Sequence, residues 1–443
     1  MASASLEREV LGLAWPAIGH SVLLTAVFVV DRAMLGHHGE ASLAAMQIAG
    51  SVGWSVLSVL MAFEVGTVAR VGRLVGEGDA AGARQAARLS LGLAVGVGAL
   101  LAVLSPWLLR ALPRMFPGAA PATVEAARSY LALTLGASPL VFVGMAATAI
   151  LQAAGDTRTP FVVGVVANAL HLAANRVLIL GAFGVPAMGI RGCAWSTVAT
   201  LGLEAVVVLA VLARGVRGVS LVGPPSPRPI GEEAREMARV AGPAILERVL
   251  HHAGFLVYAG IVASLGDLAM AANQALISVE SVCFLSGDGF AIAAASLVAR
   301  KLGGGERADA AASARIAARH AVVLLGALGL LFVATRRAVL PAFGGAKEVT
   351  ELGVRVAPIL AAAQPAMAVS MVLAQALRGA GRTRPVLLVT VLGAVAVRVV
   401  ATWALALHCE LGLVGVWLGS TCDWIVRALL FLVLIRRVLP ASA

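Results

Sequence analysis

Long apolar stretches recur from one end of the chain to the other, separated by short polar connections. They fall at roughly 10–35, 43–72, 84–112, 125–153, 157–182, 187–213, 238–264, 269–300, 310–341, 350–378, 384–408 and 411–436. About 20 apolar residues cross the hydrocarbon of a bilayer as a helix, so each stretch is long enough to span. The alternating pattern of about 10 residues that a membrane strand shows is absent. The pattern predicts an all-α membrane protein with twelve transmembrane helices.

The longest polar connector, RGVRGVSLVGPPSPRPIGEEAREMAR (214–239), follows the sixth run and divides the chain six and six. Its prolines break helix, and its acid-rich end starts a helix leading into the seventh span. The division predicts an N-terminal six-helix lobe at 1–218, a cytoplasmic connector at 219–237 and a C-terminal six-helix lobe at 238–443.

The two halves match each other at a shift of 227 positions. AWPAIGH (14–20) lies over AGPAILE (241–247), GEASLAAMQ (39–47) over GDLAMAANQ (266–274), and GRLVGEGD (72–79) over ARKLGGGE (299–306). LQAAGDTRTP (151–160) parallels LRGAGRTRP (377–385), and GIRGCAW (189–195) parallels GLVGVWL (412–418). Six spans per half is an even number, so both halves take the same orientation. They are then related by an axis along the membrane normal, as in transporters built from parallel repeats.

Composition agrees with this picture: 60% of the 443 residues are hydrophobic and only 13% are charged, against about 25% charged in soluble proteins. The net charge of +11 would suggest a nucleic-acid partner in a soluble domain. Here the basic residues cluster in alternate connections (Arg70, Arg73, Arg84 and Arg88; Arg214, Arg217, Arg228, Arg235 and Arg239; Arg300, Lys301, Arg307, Arg315 and Arg319), as the positive-inside rule requires. The partners expected are the lipid bilayer and small-molecule substrates, with no nucleic acid. Both termini are expected in the cytoplasm, the first apolar run being a retained helix of a monomer in the inner membrane. The four cysteines show no CxxC spacing. No HExxH, GxxxxGK[ST] or GxSxG motif is present, so neither an enzyme nor a metal or other cofactor is expected.

These stretches also carry a family likeness. The evidence is an early proline in spans one and seven, the G-[ED]-x-x-x-A-A-x-Q entry to spans two and eight, and the turn AGDTRTP between spans four and five. NALHLAANRVLILGAFGVPAMGIRGCAWST (168–197) and VESVCFLSGDGFAIAAASLVARKLGGG (279–305) complete it. Over essentially its whole length the chain resembles the multidrug and toxic compound extrusion (MATE) family of the MOP superfamily. The resemblance implies two six-helix lobes around a cleft open alternately to each side. It also implies antiport, with a proton or sodium ion entering while an organic, often cationic, compound leaves.

Charges inside the apolar runs are the candidate chemistry, because an acid near a bilayer centre costs about 2.5–3.5 kcal/mol on insertion scales. Asp31 closes the first run; the repeat places Tyr258 opposite it and Glu247 opposite His20. The deep acid therefore stands in one lobe only. In the resembled family the acid at this place carries the coupling ion. Asn168, His171 and Asn175 form one stripe on span five, spaced i, i+3, i+7. The family pattern there is commonly Asn, Asn and Asp, and the two departures speak against sodium and for a proton. A stripe of this kind can also serve as interhelical glue.

In the second half, Glu247, His251 and Tyr258 share a face of span seven, and Glu280 and Asp288 lie in span eight. With Glu64 of span two they are candidates for a substrate or second-lobe proton site; Glu247 and Glu280 sit where the family often has acids. Asp423 and Arg427 are one turn apart and read as a structural pair, with Arg398 a structural charge free to meet Glu280. The function that follows is a proton-coupled exporter of organic compounds. Its alternatives are a sodium-coupled drug antiporter and a lipid-linked-precursor flippase of the same superfamily.

Overall fold

The computed structural model describes residues 2–38, 40–224, 226–343 and 347–440. In chain order the helices are α1 (Ala2–His38), α2 (Glu40–Gly76), α3 (Ala80–Met115), α4 (Pro121–Gly136), α5 (Ser138–Ala153), α6 (Arg158–Leu178) and α7 (Ile190–Arg214). After the connector come α8 (Ile230–Ser264), α9 (Asp267–Gly303), α10 (Arg307–Val339), α11 (Lys347–Gly379), α12 (Thr383–Thr390), α13 (Arg398–Trp403) and α14 (Gly412–Val438). No strand occurs among the described residues. Among the described residues ten helical segments are long and apolar enough to cross a membrane, α12 and α13 counting as one through intervening π-turns (Thr383–His408). The pair α4 and α5 makes an eleventh, and the 37-residue α1 precedes them all.

The run read as one span at 125–153 is bent by 56° between α4 and α5. Pro139 lies at the start of α5 and has no N–H with which to continue the α4 ladder. The Ser138 hydroxyl bridges the bend, donating to Leu135 O at 2.6 Å and to Gly98 O of α3 at 2.8 Å.

The repeated G-x-G-[DE] motif becomes a repeated turn. Gly78 (φ +73°) and Gly305 (φ +79°) stand 227 positions apart and both take the left-handed backbone that glycine tolerates. After Gly78, Asp79 caps α3 by accepting from the Gly82 N–H at 2.7 Å. Glu306 makes no such cap and instead accepts from Lys301 Nζ at 2.7 Å.

The chain forms two compact units, Gly19–Glu236 and Met1–Ile18 with Met237–Ala443. The first eighteen residues thus group with the second half. Val10, Leu13, Ala14 and Ile18 pack in its core among Phe290, Ala294 and Leu297 of α9 and Met367 of α11. Glu9 meets Arg300 at 3.3 Å and Glu7 meets His320 at 3.1 Å. Reciprocally, the first turns of α8 belong to the first unit, where Arg70 grips Glu233 at 2.6 and 2.7 Å and Glu236 at 2.8 Å. The connector is tied down on α3 as well: Arg84 donates to Pro224 O at 2.6 Å and Arg88 to Leu221 O at 2.7 Å. Arg228 closes on Asp79 at 2.9 Å.

Candidate ion-coupling site

In the first unit the chain brings three helices together around one carboxylate. Asp31 of α1 is 4% exposed. Its Oδ1 lies 2.9 Å from His171 Nε2 and accepts from Asn175 Nδ2 at 2.6 Å, both from α6. Two residues of α7 hold these partners in place. The Ser196 hydroxyl donates to Asn175 Oδ1, which leaves the amide nitrogen to face Asp31. Thr200 Oγ1 lies 3.2 Å from His171 Nδ1 on the far side of the ring.

Asn175, Ser196, His171 and Thr200 are all buried. In a low-dielectric setting an isolated carboxylate is costly, and each of these contacts lowers that cost without a permanent counter-charge. The imidazole becomes a true ion-pair partner only when protonated. The charge of the whole cluster is therefore set by protons.

Two of the three stripe residues meet Asp31 and one does not. Asn168 turns its amide onto its own helix, donating to Gly164 O at 2.7 Å, the ordinary resort of a short amide buried mid-helix. Ser196 and Thr200 are not among the residues that the sequence singles out. Their signal is the i, i+4 spacing of two hydroxyls on α7, which is common in membrane helices. His20, three turns below Asp31 on α1, packs its ring against Gly164.

In the second unit the side chains of the Glu247, His251 and Tyr258 face meet different partners. Glu247 Oε1 accepts from Arg378 Nη2 at 2.5 Å and from the Thr390 hydroxyl at 2.9 Å. Tyr258 donates to Asn273 Oδ1 at 3.4 Å, and Trp417 Nε1 to the same oxygen at 3.1 Å. His251 Nδ1 and Glu280 Oε1 are buried without a hydrogen-bond partner among the described residues.

Arg398 pairs with Asp423, not with Glu280: its Nε and Nη2 reach Asp423 Oδ2 at 2.9 and 2.8 Å. Arg427 takes the same carboxylate at 2.6 Å on each oxygen. Arg398 and Asp423 come from neighbouring helices in contact, α13 and α14, a proximity that spacing within one helix does not reveal. The Arg427 guanidinium also lies 3.9 Å from the Trp424 ring centroid. Glu64 and Asp288 are half-buried, with no hydrogen bond or ion pair among the described residues.

The MatE family model matches the chain twice, over 16–177 and 243–404. Both ends of the second match are offset from the first by 227 (243 − 16 and 404 − 177), the period found in the sequence. A probable multidrug resistance protein NorM of Thermotoga maritima is 28% identical over 425 residues, 96% of this chain and 91% of that one. One of Pseudomonas aeruginosa is 31% identical over 336 residues, 71% of this chain and 65% of the relative. Among solved structures, a mutant of the Vibrio cholerae MATE transporter VcmN shares the fold with a TM-score of 0.90, at 20% identity over 99% of this chain and 98% of that one. The chain belongs to the MatE family, and it is a multi-pass membrane transporter, not an enzyme.

Proposed function

We propose that the chain exports organic compounds, amphipathic or cationic in character, in exchange for protons entering the cell, with Asp31 as the proton carrier. Relatives that are named probable multidrug resistance proteins over nearly the whole chain support the export of drugs. The choice of ion rests on one observation: the groups that reach Asp31 Oδ1 are the nitrogens of His171 and Asn175. The amide oxygen of Asn175 is turned away to Ser196. A dehydrated sodium ion needs several oxygen ligands in place of its water shell, whereas a proton needs one lone pair. In the second unit Arg378 is balanced by Glu247, and Arg398 and Arg427 share the single carboxylate of Asp423.

Protonation of Asp31 from the outer medium removes a charge from a buried wall, and release to the cytoplasm restores it. Two states that differ in this charge differ in their affinity for a cationic compound, and that difference couples the two fluxes. The basic connections support a topology with both termini in the cytoplasm, and the chain is read as a monomer of the inner membrane.

The test is transport of a fluorescent organic cation into liposomes holding the purified protein. An imposed pH gradient, with sodium absent, is expected to drive accumulation. Accumulation that needs a sodium gradient and ignores pH overturns the reading.

A further inference from the structure

We infer that Glu204 of α7 is a second proton-carrying carboxylate of the transport cycle, taking the proton from Asp31 by way of His171. The inference rests on the proposed proton coupling and extends it to a residue outside the Asp31 contacts.

Register within the repeat places Glu204. Gly192 of α7 approaches α6 so closely that a Cβ would overlap Leu178 O. Gly415 of α14 does the same to Leu405 O at 2.5 Å. Leu178 and Leu405 are 227 apart, while the glycines are 223 apart, because the connection before α14 is four residues shorter. At that register Ser196 stands over Gly419, whose Cβ would touch Thr402, the counterpart of Asn175. Thr200 stands over Asp423 and His171 over Arg398, so the contact from Thr200 to His171 repeats as the one from Asp423 to Arg398. Glu204 then stands over Arg427. In the second unit Arg427 seals the cluster; in the first, an acid occupies its place.

Glu204 lies one turn beyond Thr200 on the same face of α7. Besides Asp31 it is the acid near enough to His171 for the two charges to influence each other. It is half-buried and makes no hydrogen bond or ion pair among the described residues. Among the elements packed against α7, α6 brings His171 and α4 brings the buried Tyr130. The stretch of α5 carries no titratable side chain, α2 carries Glu64, and α7 itself carries Cys193.

The imidazole has its Nε2 toward Asp31 and its Nδ1 toward Thr200, one helical turn before Glu204. A protonated Asp31 gives its proton to Nε2 and becomes a carboxylate. The Nδ1 proton leaves toward the Thr200 hydroxyl and, through one bridging water, reaches the Glu204 carboxylate. The imidazole is then neutral in the other tautomer and resets by exchanging protons with water. One proton has left Asp31 and one has arrived on Glu204. Four residues of helix carry it about 6 Å along α7, toward the end that the proposed topology puts in the cytoplasm.

Glu204→Gln and Glu204→Asp in liposomes, driven by a pH gradient across a series of internal pH values, test this. Glu204→Gln is expected to slow accumulation of the organic cation about tenfold. Glu204→Asp is expected to recover most of that rate with its pH profile displaced, because a shorter carboxylate still accepts a proton. A wild-type rate in Glu204→Gln overturns the inference, and so does a Glu204→Asp variant no faster than Glu204→Gln, which would mark a role of shape. If wild-type protein ignores the pH gradient, the proton-coupling reading falls and takes this inference with it. If only the variants disagree, the inference falls alone.

Discussion

The Asp31 cluster of the first unit and the Asp423 cluster of the second are built on matching positions of one repeat. His171 corresponds to Arg398, Asn175 to Thr402, Thr200 to Asp423, and Asp31 itself to Tyr258. The scaffold is the same and the electrostatics are opposite. Around Asp423, 0% exposed, two guanidiniums at 2.6–2.9 Å make a pair that stays charged. Around Asp31 the partners are an imidazole and an amide, themselves held by the hydroxyls of Thr200 and Ser196, and none of them carries a permanent charge. Guanidinium keeps its proton at any physiological pH, whereas histidine changes charge within that range. On the proposed function, one fold carries a lock in one half and a switch in the other.

The largest effect expected from breaking this contrast is on transport. Asp31→Asn fixes the switch in a mimic of its protonated state. Efflux of an organic cation from cells should fall by about two orders of magnitude with membrane expression near normal. Resistance to toxic cations at wild-type level in Asp31→Asn cells would show that the coupling lies elsewhere.

Removing the lock should act on folding. Asp423→Asn leaves Arg398 and Arg427 facing each other without their counter-charge. Breaking a buried pair from one side costs about 3–5 kcal/mol. The variant should lose its monodisperse elution in mild detergent at temperatures where Asp31→Asn protein remains intact. Equal thermal stability of the two would erase the distinction between them.

A smaller effect should follow at the second layer of the switch. Ser196→Ala removes the hydroxyl that fixes the Asn175 amide, a hydrogen bond worth about 1 kcal/mol. With the amide free to turn its oxygen toward Asp31, pH-driven accumulation should drop several-fold. A weak sodium dependence, measured in the same liposomes, should appear for the first time.

The smallest expected effect compares the two G-x-G-[DE] turns. The Lys301 ammonium, hydrogen-bonded to Glu306, holds that exposed carboxyl below its ordinary value. A depressed carboxyl contributes stability that is present above its ordinary value of about 4.3 and lost as pH falls through the lower, folded value. Exposure screens the pair to about 0.5 kcal/mol or less. Glu306→Gln should therefore lower the melting temperature slightly at pH 7 and not at all near pH 3.

Much of the fold was legible in the sequence because its causes are local. A bilayer dictates the length of each apolar run, which gave the helices. Repetition at 227 positions is a property of the chain itself, and the family matches carry the same offset. The expense of a carboxylate among apolar residues singled out Asp31, and helical spacing put His171 and Asn175 on one face. Tertiary structure decided the rest. Whether a polar face looks at Asp31, at a guanidinium or back at its own backbone depends on which helix lies opposite and at what height. Asn168 therefore bonds Gly164 while its stripe-mate Asn175 bonds Asp31. Glu247 found Arg378, a residue that sequence reading leaves in a turn motif. Arg398 found Asp423 in place of Glu280. Even the place of the first eighteen residues, with the second half of the chain, follows from apolar faces meeting across helices. Spacing along one helix fixes which side chains share a face, and only packing fixes what that face meets.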